Sequence, residues 1–199
     1  MTARRYHVLG GGPAGLYFAI LAKKANPETE ITVFERNAAD DTFGWGVVFS
    51  DETLGNLEEA DASTYRAIRE RFAYWDAIDM HLDVGGRRHA PVRTGGHGFC
   101  GIGRMRLLLL LQERARELGV VLRFGEEVDD IEALRDCDLL VAADGINSKT
   151  RDRYQATFQP TIEHGKSPFI WLGTHQTFEA FTFIFRENDH GVFNVHAYQ

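Results

Sequence analysis

The stretch from Tyr6 to Arg36 limits what this chain can fold into more than any other. An apolar run, Tyr6–Leu9, leads into Gly10-Gly11-Gly12-Pro13-Ala14-Gly15, and a helical pattern follows from roughly Pro13 to Ala25. A second apolar run, Ile31–Phe34, ends in Glu35. Strand, glycine turn, helix and strand in that order predict a βαβ unit, with Gly10, Gly12 and Gly15 in the three glycine positions of GxGxxG. The first permits the tight turn, the second lets a pyrophosphate approach the backbone, and the third lets the helix lie close to the strand. Phosphates would sit at the helix N-terminus, where unpaired N–H groups and the helix dipole favour anions. Glu35 lies twenty residues beyond Gly15, where a strand-end carboxylate can accept from ribose hydroxyls. A glycine turn can also be purely structural, but the ordered set points to a dinucleotide. FAD and NAD both use this geometry.

With 199 residues, the chain suffices for one substantial domain, or one domain and part of another. Its net charge is −7 and it has no long basic run, so nucleic acid is not an expected partner. The longest aliphatic run, Leu107–Leu111, is far too short to cross a membrane, and the short first strand does not read as a signal peptide. Cys100 and Cys137 have neither metal-binding nor CxxC spacing. They read as reduced, part-buried thiols of a cytoplasmic protein, and no metal site is expected.

Beyond Glu35, a long stretch from Arg36 to Leu54 contains Phe43-Gly44-Trp45-Gly46-Val47-Val48-Phe49. Two explanations fit it equally: a loop folded against a flat aromatic ligand, where glycine permits close approach, or a structural loop with Trp45 in the core. Asp61 to Asp76 reads as one amphipathic helix capped by Asp61 or Ser63, with Tyr65, Ile68, Phe72 and Trp75 on its core face. Ile78–Val84 and Arg88–Val92 flank Gly85-Gly86 as a hairpin. His97 stands between glycines, more in keeping with a surface or structural role than a catalytic one. Arg104 to Leu118 is a helix ended by Gly119, with Leu107, Leu110, Leu111, Ala115 and Leu118 facing the core. A cation at its start opposes the dipole; either a bound anion or a salt bridge would relieve Arg104. Val120–Phe124 reads as a strand.

Asp138–Ala143 has a buried-strand pattern and runs into Asp144-Gly145, then Ile146-Asn147-Ser148 and Arg151. A strand-end Asp-Gly is either an ordinary turn or a ligand contact at the carboxyl edge of a parallel sheet. Taken together, GxGxxG, the strand-end acid, the arginine opening LLLLLQERARELG, and ADGINSKTR resemble the FAD-dependent aromatic hydroxylases, the single-component flavoprotein monooxygenases. The resemblance covers essentially the whole chain. TFGWGVVFSDETL, GGHGFCGIGR and FIWLGTHQTFEAFTFIF look like the hydroxylase part of salicylyl-CoA 5-hydroxylases and 2-aminobenzoyl-CoA monooxygenases. They are similar, less closely, to the indole hydroxylase type of violacein biosynthesis. A flavin disulfide reductase would need a redox cysteine pair, which is absent.

The resemblance implies that Arg104 contacts the flavin or its phosphates and that the Val128 backbone contacts the adenine. It also implies that Asp144 and Gly145 help hold FAD, with Ser148 and Arg151 matching the motif, and that the Gly44–Val47 loop lies beside the isoalloxazine. The expected cofactor-binding set is therefore Gly10, Gly12, Pro13, Ala14, Gly15, Glu35, Arg36, Gly44, Trp45, Gly46, Val47, Arg104, Val128, Asp144 and Gly145. NADH or NADPH would reduce FAD, and reaction with O2 would give a C4a-hydroperoxide that oxygenates an electron-rich ring, such as that of salicylyl-CoA or 2-aminobenzoyl-CoA. The cofactor carries the chemistry, and His97 is the side chain named for tuning the substrate. The expected fold is α/β: a Rossmann-like FAD-binding domain over 1–165, then the first strands of a β-rich substrate domain over 166–199. Pro168–Leu172, Phe181–Arg186 and Gly191–Tyr198 read as those strands. The family's downstream Gly-Asp motif has no equivalent before Gln199, so the chain is expected to be truncated, an FAD-binding fragment that lacks activity by itself as the alternative.

Overall fold

The computed structural model describes residues 4–199. In chain order its elements begin with β1 (Arg5–Leu9), α1 (Pro13–Ala25), β2 (Glu30–Glu35), β3 (Gly46–Ser50), α2 (Asp51–Ala60), α3 (Ala62–Arg69) and β4 (Ala73–Trp75). Then come β5 (Ile78–Val84), β6 (Arg87–Arg88), β7 (Val92–Thr94), β8 (Phe99–Gly103), α4 (Arg104–Glu117), β9 (Val121–Phe124) and β10 (Leu139–Ala142). The short helices α5 (Lys149–Arg153) and α6 (Gln155–Phe158) precede β11 (Phe181–Asn188) and β12 (Gly191–Ala197). Contacts divide the chain into two units, Met1–Gly44 with Arg104–Trp171, and Trp45–Gly103 with Leu172–Gln199.

The first unit is an α/β fold around a parallel sheet of order β10-β1-β2-β9. Its register pairs Val8 with Val33 and with Val141, so apolar residues of neighbouring strands lie level. Pro13 opens α1, where its missing N–H costs nothing. Leu16, Ala19 and Ile20 are fully buried, and α1 packs against α4, which buries Leu107, Leu110, Leu111 and Ala115. Truncating Leu16 to alanine in such a site costs about 2–5 kcal/mol. All four strands point their carboxyl ends the same way, so the Gly10–Gly15 turn, Glu35, the segment after Phe124 and the Asp144-Gly145 turn gather at one edge.

The second unit contains a sheet of order β12-β11-β5-β6, with β7 also on β5, and a smaller sheet of order β3-β8-β4. The hairpin at Gly85-Gly86 forms with both glycines at positive φ, as a tight two-residue turn requires, but its second arm is not the continuous strand Arg88–Val92: β6 ends at Arg88 and β7 begins at Val92. Phe181, Phe183 and Tyr198 make an aromatic cluster on one face of the larger sheet.

Several expectations need correction. The division by contacts is not the linear one at 165/166, because β11 pairs with β5 and thereby draws Trp45–Gly103 together with the end of the chain. Phe43–Phe49 is not all loop: from Gly46 onward it forms β3. Asp61–Asp76 is not one helix. Asp61 caps α3, accepting from Thr64 N–H at 3.3 Å, but α3 ends at Arg69 and Trp75 lies on β4, where it pairs with Phe99. Pro168–Leu172 is not a strand; Phe169, Ile170, Trp171 and Leu172 are exposed in irregular backbone.

Candidate functional site

A groove of ≈ 260 Å³ runs along the carboxyl edge of the parallel sheet in the first unit. Gly10, Gly12, Glu35, Arg36, Arg104, Val128, Asp144 and Gly145 line it, residues drawn from well-separated stretches of sequence. Pro13, Ala14 and Gly15 begin α1 behind the turn. Phe43 is the last lining residue of its loop; Gly44 is not part of the wall, and Trp45, Gly46 and Val47 belong to the second unit. Two other hollows, of ≈ 540 and ≈ 680 Å³, are larger but contain none of the expected cofactor residues.

The glycines of the turn do different work. Gly10 has φ +107°, and a Cβ there would meet Ala143 O at 2.3 Å, so the turn presses against the residue that follows β10. A Cβ on Gly15 would lie 2.0 Å from Gly10 O, which holds the start of α1 against the strand. Gly12, with φ −72° and ψ 177°, has a backbone any residue can adopt, and a Cβ there meets nothing within 4 Å among the described residues. The fold has no need of glycine at 12, whereas a group pressed against that backbone would. Ala14 and Gly15 supply helix-start N–H groups without intrahelical acceptors, the first helical bond being Leu16 N–H to Gly12 O.

Glu35 is fixed by its own surroundings. Its Oε2 accepts from Gly11 N–H at 2.7 Å, and its Oε1 accepts from Asn37 N–H at 2.9 Å and Asn37 Nδ2 at 2.8 Å. With two acceptor sites per oxygen, Oε1 is filled and Oε2 keeps one. Neither Gly11 nor Asn37 was singled out from sequence. The x of GxGxxG and the second residue past an acid carry no signal until the two are adjacent.

Asp144 is likewise turned toward its own loop, accepting from Ser148 Oγ at 2.6 Å and Thr150 N–H at 3.1 Å. Burial alone pushes its carboxyl up, but the hydrogen bonds from Ser148 and Thr150 N–H outweigh it and hold Asp144 below its ordinary value of 3.8. Ser148 Oγ caps α5 through Arg151 N–H at 2.9 Å, and Arg151 Nη1 donates to Ile146 O at 2.8 Å. These bonds frame the loop that places Gly145 in the groove wall. Lys149, also lining the groove, bridges Glu127 and Asp129 at 3.2 and 3.1 Å and so grips both neighbours of Val128.

Arg104 opens α4 with no acid in the first turn. Among the described residues it forms no ion pair, and its Nε is buried without a hydrogen-bond partner. Of the two ways to relieve a cation at a helix start, the fold does not supply the salt bridge. Positive charge, helix-start N–H groups and space at Gly12 in one groove suit a diphosphate, so the residues present fit the cofactor that the motifs imply.

Trp45 is 67% exposed, which removes the core explanation for its loop; its ring lies beside Gly173. His97 is exposed too, its Nε2 3.1 Å from Thr94 Oγ1 and its N–H donating to Asp76 O at 3.0 Å, a structural setting. Cys100 and Cys137 are free thiols; burial pushes the Cys100 thiol up to about 11, which leaves it an inert core group. No helix among the described residues is long and apolar enough to cross a membrane.

Comparison with known proteins bears on this geometry. No family model matches the chain. It is 46% identical over 190 residues to a salicyloyl-CoA 5-hydroxylase of a Streptomyces species, covering 96% of this chain and 36% of that protein. It is 31% identical over 194 residues to the protodeoxyviolaceinate monooxygenase of Chromobacterium violaceum, covering 96% of this chain and 51% of that protein. Among solved structures, CtdE in complex with FAD superimposes with a TM-score of 0.58 at 21% identity, over 76% of this chain and 40% of the other, a likeness of fold. The chain thus spans about a third to a half of the length of these curated relatives.

Proposed function

The chain belongs to the FAD-dependent aromatic hydroxylases, and from that membership we propose that its first unit holds FAD as the cofactor portion of an NAD(P)H- and O2-dependent monooxygenase. The proposed substrate is an aromatic ring carried as an aryl-CoA thioester, such as salicylyl-CoA or 2-aminobenzoyl-CoA, a class supported by the relative at 46% identity. When bound, FAD supplies electron uptake from NADH or NADPH and oxygen transfer to the ring.

The residues of this chain bind and orient. Gly12 leaves backbone open to the pyrophosphate, and Ala14 and Gly15 N–H groups face it at the start of α1. Arg104 offsets its charge. The remaining acceptor site on Glu35 Oε2 would take a ribose hydroxyl, the Val128 backbone would contact the adenine, Arg36 would line the cofactor's groove, and the loop framed by Asp144 would present Gly145. Gly44, Trp45, Gly46 and Val47 enter the proposed cofactor set through the resemblance of their loop. The observation that carries the proposal is Gly12, a glycine that the turn's own sterics do not require.

The test is to purify the chain, titrate it with FAD, and follow NADH or NADPH oxidation with salicylyl-CoA and O2. FAD binding with hydroxylated product bears the proposal out; failure to bind FAD overturns it. A second reading, flavin held without turnover, draws on the coverage of 36% and 51% of the curated relatives, and predicts FAD binding with no hydroxylated product.

A further inference from the structure

Arg104, Leu108 and Gln112 all line the groove and stand four residues apart on α4, so one stripe of the helix forms its wall. The ends of the stripe are about 12 Å apart along the helix axis. Arg104 fits the anionic part of a ligand; Gln112, at the other end, is chemically different. It is 2% exposed on a helix otherwise buried through leucine and alanine. Its Nε2 donates to Ala39 O at 2.8 Å, which fixes the amide's orientation, because a carbonyl oxygen can only accept. Its Oε1 is therefore an acceptor, and it has no partner among the described residues. Thr42, on the loop that Ala39 anchors, also lines the groove, and its Oγ1 is likewise buried and unpartnered. Buried polar atoms are nearly always paired, so two orphans in one groove wall call for a partner from outside the fold.

We infer that Gln112 and Thr42 form a further binding subsite of this groove, which takes a hydroxyl-bearing sugar portion of the bound dinucleotide. A phosphate cannot serve, since a diphosphate bridge has acceptors and no donor, and Gln112 Oε1 needs a donor. A hydroxyl can donate to Gln112 Oε1, and a sugar carries further hydroxyls that can bond Thr42 Oγ1. The helix stripe then reads along the ligand as anion at Arg104, apolar contact at Leu108 and sugar at Gln112. The inference rests on the proposed occupancy by FAD. Two parts of FAD carry such hydroxyls, the adenosine ribose and the ribityl chain.

Thr42→Val gives a clean test, because it removes the hydroxyl at nearly constant shape and breaks no bond within the fold. Affinities for FAD, ADP and FMN are measured by titration calorimetry on wild type, Thr42→Val and Gln112→Met, with melting temperatures recorded without ligand. FAD affinity is expected to fall roughly five- to tenfold in Thr42→Val, while its ligand-free melting temperature stays level or rises. Loss confined to ADP assigns the subsite to the ribose, and loss confined to FMN assigns it to the ribityl chain. Gln112→Met should lose FAD affinity as well, with a lower melting temperature because the tie to Ala39 is cut. Unchanged FAD affinity in Thr42→Val overturns the subsite. Failure of the wild type to bind FAD instead overturns the reading on which it rests.

Discussion

Gly11 donates its N–H to Glu35 Oε2 at 2.7 Å, and a Cβ on Gly11 would lie 2.8 Å from Glu35 Cβ. The strand-end acid thus buckles the glycine turn to β2, and Gly11 is small because Glu35 lies against it. Backbone conformation does not bar alanine here, since Gly11 is not among the positive-φ glycines. Gly11→Ala should therefore destabilise by about 1–3 kcal/mol through overpacking, and less in a Glu35→Gly background, which removes the Cβ that an alanine at 35 would keep. A double-mutant cycle in urea should give a coupling of at least ~0.5 kcal/mol; additive effects would mean that Glu35 is not what excludes the methyl group. Glu35→Ala should also weaken FAD binding by about 1.5–3 kcal/mol, as expected for bonds to a charged group.

Gly12 and Gly15 should separate ligand from fold. Gly12→Ala gains from restricting the unfolded chain and loses a little as a helix cap, so its ligand-free stability should change by less than about 1 kcal/mol. Gly12→Val should fold as well, yet fail to take up FAD, because its branched side chain fills the space left at the turn. Gly15→Ala, whose Cβ meets Gly10 O at 2.0 Å, should cost about 3 kcal/mol or more whether or not ligand is present. Melting curves and FAD titrations on the three variants check the contrast. A Gly12→Val protein that purifies yellow would remove the turn from the cofactor site.

Asp144 makes a pH prediction. Its folded value lies below 3.8, held down by Ser148 Oγ and Thr150 N–H against the opposing effect of burial. A depressed carboxyl contributes stability that is fully present above its unfolded value and lost as pH falls through the folded one. The stability difference between wild type and Asp144→Asn should therefore be flat above about pH 5 and shrink below 3.8. Urea unfolding from pH 3 to pH 7 measures it, and a difference independent of pH would mean that Asp144 does not titrate with folding.

Trp45 is exposed, so Trp45→Ala should not incur the cost of about 3–5 kcal/mol of an emptied core site. A stability change below about 1 kcal/mol is expected. If the loop shields the flavin from water, as the resemblance implies, the active enzyme carrying Trp45→Ala should keep consuming NADH but release more peroxide per NADH. An unchanged peroxide ratio would end the shielding role.

Much of the fold was legible from sequence because its signals are local. The βαβ start, the Arg104 helix and its Gly119 stop, the Gly85-Gly86 hairpin and the Asp144-Gly145 strand end all follow from periodicity and turn chemistry within short windows. The single helix over Asp61–Asp76 failed because aromatic spacing alone does not distinguish a helix face from a short strand such as Ala73–Trp75, which is fixed by its pairing with Phe99–Gly103. Pro168–Leu172 has a strand's composition but no partner strand among the described residues, and a strand exists only through its partner.

The sequence by itself determined which residue types make up the candidate site: glycines in GxGxxG spacing, an acid at a strand end, an arginine at a helix start, an Asp-Gly turn. Tertiary structure decided what each one touches. Only the pairing of β1 with β2 and β10 brings Gly11 against Glu35 and Gly10 against Ala143, leaving Gly12 as the glycine of the motif that the turn does not crowd. Only the packing of the Ala39 loop on α4 turns Gln112 from an ordinary helix residue into a buried, half-satisfied amide. The physical reason is range. Propensity and periodicity act over a few residues, whereas burial and hydrogen-bond satisfaction depend on which distant segment arrives alongside.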